Sequence, residues 1–287
     1  MPFKAGAAQF SYIINPGQLS ACIQAGVGGE TSGENVRRLF NKEIEMSETP
    51  ISFTETHHAL LFAWIARAII ELAGIEKGEP AIRRAVALYG RQRGGRMALR
   101  AAANGDALSM ANYMAYGEWQ SSPGAMEQEL LEKAPDARLR ITRCPWQRAW
   151  QASGLLAYGR LYCLEIDDAL AEGFNPTLKI DRLSLQTAGD PWCEFIYRGA
   201  GLPEQGVQFQ PHAQPAYPAE KIKLSWEYHT GHLFAALETV LVAELGDIGR
   251  AAAAAGLAEF GSRFGEPAVQ TILAYRNTDF SRPPDPA

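Results

Sequence analysis

The chain has 287 residues, of which 47% are hydrophobic and 21% charged, and its formal net charge is −5. That length allows one large domain or two modest ones around a substantial core, and the apolar share excludes wholesale disorder. The mild acidity argues against the clustered Lys/Arg face of a nucleic-acid binder. Ala59 to Ile70 and Leu233 to Leu245 are the most apolar runs, and charges at Arg67, Glu238 and Glu244 leave both short of the roughly 20 residues a membrane span needs. Met1 to Gly6 leads to Asn15-Pro16-Gly17 without a continuous apolar core, which argues against a signal peptide. With no export signal, the four cysteines are expected as reduced thiols in a cytoplasmic protein that meets neither nucleic acid nor membrane.

Residues 1–50 read as an N-terminal arm rich in Gly and Ser, with a short helix from Glu34 to Glu45. A helical hairpin region follows over 51–125. Thr54 caps a helix that is apolar on nearly every side to Leu72, and Gly74 ends it. Glu79-Pro80 opens a second helix to about Ala103, and a third covers Ala107 to Trp119. Residues 126–200 form a central α/β unit. In it Arg138 to Arg143 alternates as a strand, and Pro145 to Ala171 reads as one long helix. Leu178 to Gln186 and Trp192 to Arg198 are strands joined by the turn Ala188-Gly189-Asp190-Pro191. Residues 201–225 read as a linker, and helices resume over 226–287.

That last segment echoes an earlier one. Glu55, His57, Leu61, Phe62 and Ala63 match Glu227, His229, Leu233, Phe234 and Ala235 at a constant offset of 172. Tyr89-Gly90 and Gly94 match Phe260-Gly261 and Gly265 at 171. The expected fold is therefore α+β: two similar helical hairpins packed around a small antiparallel sheet with a long central helix, as one composite domain.

The central segment carries Cys144, then Cys163 and Asp167, then Arg182, then Gly189-Asp190 with Cys193 and Phe195. This pattern resembles the L-2-amino-thiazoline-4-carboxylic acid hydrolase family over about 60 residues, and Tyr89 to Ala98 is similar to that family's helical half. The hairpin through Cys193 also resembles vinyl-reductase-type small-ligand domains. The first resemblance implies water addition to a cyclic C=N carbon, giving an N-carbamoyl product; the second implies a ligand-binding or sensor module. A second hairpin after residue 225 departs from the hydrolase pattern.

Several residues could carry such chemistry. Cys163 and Asp167, four apart on a helix, offer a thiol nucleophile with a base beside it, or a packed thiol and an ion pair with Arg182. Cys193 sits on a strand after a tight turn, where it lines a pocket or fills a core. Cys144 lies at a strand–helix junction, where it faces a substrate. His57 is a candidate base. Arg93, Arg96 and Arg182 are candidate clamps for a substrate carboxylate, against the plainer reading of a solvated helix face. Glu55, His57, Glu227 and His229 could converge on a metal, or simply stand at two helix starts. No cofactor is called for; the expected partner is a small molecule, and the apolar helix at 59–72 leaves room for a homo-oligomer.

Overall fold

A computed structural model of the chain describes residues 52–210 and 212–284. The arm over 1–50 and its Glu34–Glu45 helix lie outside them. The first hairpin is α1 (Glu55–Ala73) and α2 (Ile75–Ala103), followed by short α3 (Met110–Ala115). The central unit runs β1 (Glu127–Glu132), β2 (Ala137–Arg143), α4 (Pro145–Ala152), α5 (Leu156–Cys163), α6 (Ile166–Phe174), β3 (Ile180–Ser184) and β4 (Cys193–Tyr197). The second hairpin is α7 (Trp226–Leu245) and α8 (Asp247–Phe264), and α9 (Glu266–Ala274) closes the helical part. Among the described residues no helix is long and apolar enough to cross a membrane.

The two hairpins share their construction. Gly74 (φ +77°) and Gly246 (φ +57°), 172 positions apart, make the two turns in a backbone region that suits glycine. Gly78 then lies against the Ile69 and Ile70 backbone, as Gly249 lies against Leu241 and Val242. The hairpins pack on each other, α1 on α8 and α2 on α7. The fold is α+β, with a four-stranded antiparallel sheet ordered β1-β2-β4-β3.

Helices α4 to α6 and the short α3 join bundle and sheet. The stretch read as one long helix is three, because Gly154 (φ +68°) breaks it first and the Leu164-Glu165 turn breaks it again. α2 begins at Ile75, directly after the turn glycine, and takes Pro80 inside it. Gly94 of α2 and Gly173 of α6 bring these helices into backbone contact: a β-carbon on Gly94 would strike the Leu170 carbonyl, and one on Gly173 the Arg91 carbonyl. This close crossing packs the middle of α2 against the second half of α6. In the sheet, Ile141 pairs with Cys193 and Leu139 with Phe195, so these side chains share the face that packs against Cys163 and Leu164. The other face holds Glu194 between Arg138 and Arg140.

Candidate active site

Three thiols gather where α4, α5 and β4 meet. Cys163, the last residue of α5, packs with Cys193 in the cluster on the sheet and, with Cys144, on the bundle core. Cys144 is the N-cap of α4. Burial raises all three thiols. Cys163 is pushed well above its usual range, with the Cys144, Asp167 and Cys193 charges adding to burial, and Cys193 reaches about 11. For Cys144 the backbone N–H groups of Gln147 and Trp146 oppose the rise. The Gln186 N–H donates to Cys193 Sγ at 3.3 Å. The Thr187 hydroxyl leans toward Cys163 but makes no well-formed hydrogen bond there or elsewhere.

Asp167 stands in the first turn of α6 beside this cluster. Burial raises its carboxyl to about 6, Asp168 adds to the rise, and Arg182 and Arg93 oppose it. Cys163 and Asp167 are partly buried. Tyr162, Tyr113 and Tyr197 are all within reach of the Asp167 charge.

On the far side of Tyr162 lies an unusual set of buried charges. Arg93, Arg96 and Arg100 recur at helical spacing on α2, and all three are buried with Glu118. Arg96 donates to both Glu118 oxygens (3.0 and 2.7 Å) and to the Phe280 carbonyl (2.7 Å), and Arg100 donates to Glu118 Oε1 (2.6 Å). Burial would raise Glu118, but Arg96, Arg100 and Arg93 outweigh it and hold the carboxyl at about 2. Arg93 stands apart. Its Nε is 3.5 Å from Glu118, and none of its three nitrogens makes a hydrogen bond.

The model of the L-2-amino-thiazoline-4-carboxylic acid hydrolase family matches residues 54–197, half of the chain. The chain belongs to this family. No curated protein and no solved structure matches it. The matched span runs from the start of α1 to the end of β4, so it takes in the thiols, Asp167, Arg93 and Glu118; the second hairpin lies beyond it.

The remaining candidates fall in different places. Arg182 donates to the Cys163 carbonyl (2.7 Å) and to Asp168 (3.1 Å), which ties β3 to the turn between α5 and α6. Arg96 has every nitrogen engaged by protein, so it frames the site. His57 is not with the thiols. Its Nδ1 accepts the Thr54 backbone N–H at 3.0 Å, the return half of a capping box, and its ring stacks on Phe53 at 4.7 Å. His57→Ala is therefore expected to cost about 1 kcal/mol of stability in a urea titration and to leave turnover unchanged.

The Glu-x-His pairs do not assemble a metal centre. Glu55 accepts from the Ser122 backbone and hydroxyl, while Glu227 accepts from the Phe53 backbone, so each carboxylate fastens a chain segment. His229 is buried against the Glu118 carbonyl, away from the capping position of His57. Among the described residues no group of three His, Cys, Asp or Glu could hold a metal ion.

The site also contains residues that sequence reasoning did not single out. Glu118 is the main one, with Tyr162 and His58. Trp146 Nε1 donates to His58 Nδ1 (3.1 Å), which leaves the proton on Nε2 facing the Tyr89 hydroxyl at 3.0 Å. Burial, His229 and Arg93 keep His58 neutral. The only signal for Glu118 is its position as a lone acid in an aromatic stretch, between Tyr116 and Trp119.

Proposed function

We propose that this chain hydrolyses a small heterocycle bearing a carboxylate, at an amidine-like C=N carbon such as C2 of a 2-aminothiazoline ring. The observation that carries this is Asp167, a carboxyl raised by burial to about 6, next to the thiol cluster at the start of α6 and close enough to Arg93 and Arg182 to feel their charges. Such a group is ionised at neutral pH and ready to take a proton.

In this reading Asp167 removes a proton from water as the water oxygen bonds to the ring carbon and the C=N electron pair moves to the ring nitrogen. The C–S bond of the tetrahedral adduct then breaks as the oxygen becomes the carbonyl. Of the two protons of water one ends on the ring nitrogen and the other, by way of Asp167, on the departing sulfur, giving an N-carbamoyl amino acid with a free thiol. Water is the attacking group because burial holds the thiols protonated, and a protonated thiol is a poor nucleophile. The neutral thiols then serve as soft walls around the ring. One observation favours a covalent route instead: Cys144 at the start of α4 meets N–H groups that suit a thiolate.

The test is incubation with 2-amino-2-thiazoline-4-carboxylate, reading free thiol and product mass. The proposal expects one thiol and one N-carbamoyl product per ring opened, in wild type and in Cys144→Ala. Loss of all turnover in Cys144→Ala with the fold intact would move the attack to that sulfur. Binding of the ring without turnover would make the site a small-ligand sensor.

A further inference from the structure

Arg93, Arg96 and Arg100 bring three buried positive charges to the single carboxylate of Glu118, and Lys223 is close enough to add to them. Buried charge without a partner is costly, and the shortfall is local. Arg96 and Arg100 are tied to Glu118 by short hydrogen bonds. Arg93 is fully buried with all three nitrogens unbonded. The indole of Trp119 covers one face of its guanidinium at 3.8 Å, and the Tyr89 ring lies 5.4 Å away. A guanidinium covered on its face offers its N–H groups only at its edge. The Tyr162 hydroxyl, buried and also without a partner, lies within reach of both Arg93 and Asp167.

We infer that Arg93 receives the carboxylate of the ligand edge-on, as a two-pronged pair in the guanidinium plane, with Trp119 supporting its face and the Arg96–Glu118–Arg100 group fixing the frame. This rests on the proposed hydrolytic site and names the group taken there: a flat carboxylate, which matches the arginine fork. The same pairing sets the ring beside Tyr162 and Asp167, so the end of the ligand away from the carboxylate meets the base.

The experiment separates binding from chemistry. Calorimetry on the full chain compares thiazolidine-4-carboxylate, a ring with no C=N bond to hydrolyse, with thiazolidine, which lacks the carboxylate. Wild type is expected to bind the acid about 100-fold more tightly than the plain ring, and Arg93→Met to lose that difference. Methionine fits the aliphatic stem, and Arg96 and Arg100 keep the hydrogen bonds to Glu118, so Arg93→Met should still fold. If that variant does not fold, the wild-type comparison of the two rings still decides. Equal binding of both rings, or an unchanged acid affinity in Arg93→Met, would overturn the inference, as would equally tight displacement by inorganic phosphate. None of these readouts requires turnover, so failure of the hydrolytic proposal would show separately, as binding without product.

Discussion

Asp167→Asn is expected to lower kcat/KM by about 10²- to 10⁴-fold, the usual contribution of a positioned general base. The same change is expected to make the protein more stable at neutral pH. Burial raises the folded-state carboxyl from 3.8 to about 6, so the folded chain holds this proton more tightly than the unfolded chain does. Stability from this group is therefore full below about 3.8, falls as pH rises toward 6, and stays low above that. At roughly 1.4 kcal/mol per pH unit the loss is about 3 kcal/mol, which asparagine avoids. A structural carboxyl would lose stability on substitution; a catalytic one kept at a cost would gain it. Urea titrations at pH 5 and pH 8 on both proteins check this, and a variant that is less stable at pH 8 and equally active would count against the role.

The second large effect is on the frame. Glu118→Gln leaves three buried guanidiniums without their shared counter-charge and is expected to cost about 3–5 kcal/mol. The pH dependence runs opposite to that of Asp167. Three arginines hold the Glu118 carboxyl at about 2, below its usual 4.5, so its stabilisation is present above about 4.5 and is lost as pH falls through 2. Denaturant titration of wild type between pH 2 and pH 6 should show a decline on the acid side that Glu118→Gln lacks. A cost below about 1 kcal/mol would mean that the arginines are neutralised in some other way.

The parts of this fold that were readable in the sequence are those with local causes. The bounds of α1 follow from Thr54 and Gly74, and the repeat was visible because Glu, His and the Leu-Phe-Ala core positions recur at one offset; the matching turn glycines Gly74 and Gly246 appear only in the structure. The polar segment that forms β1 escaped because an edge strand of Glu, Gln and Leu carries no alternating apolar pattern. Cys163 and Asp167 were paired by helical spacing, yet they stand on different helices, and the turn between α5 and α6 brings them together instead. The arginines showed their spacing but not their surroundings. What buries them is Glu118, in an irregular segment after α3 where no periodicity reports burial, together with Phe280 from the far end of the chain. His57 looked like a base because histidines are few; its role as a cap appears only once Thr54 is placed.

The pH dependence of kcat/KM on 2-amino-2-thiazoline-4-carboxylate tests the role of Asp167 most directly. Wild type is expected to gain activity with unit slope up to about pH 6 and to level off above it, with that inflection absent from the residual activity of Asp167→Asn. A profile flat from pH 5 to pH 8, or an inflection that survives in Asp167→Asn, would contradict it.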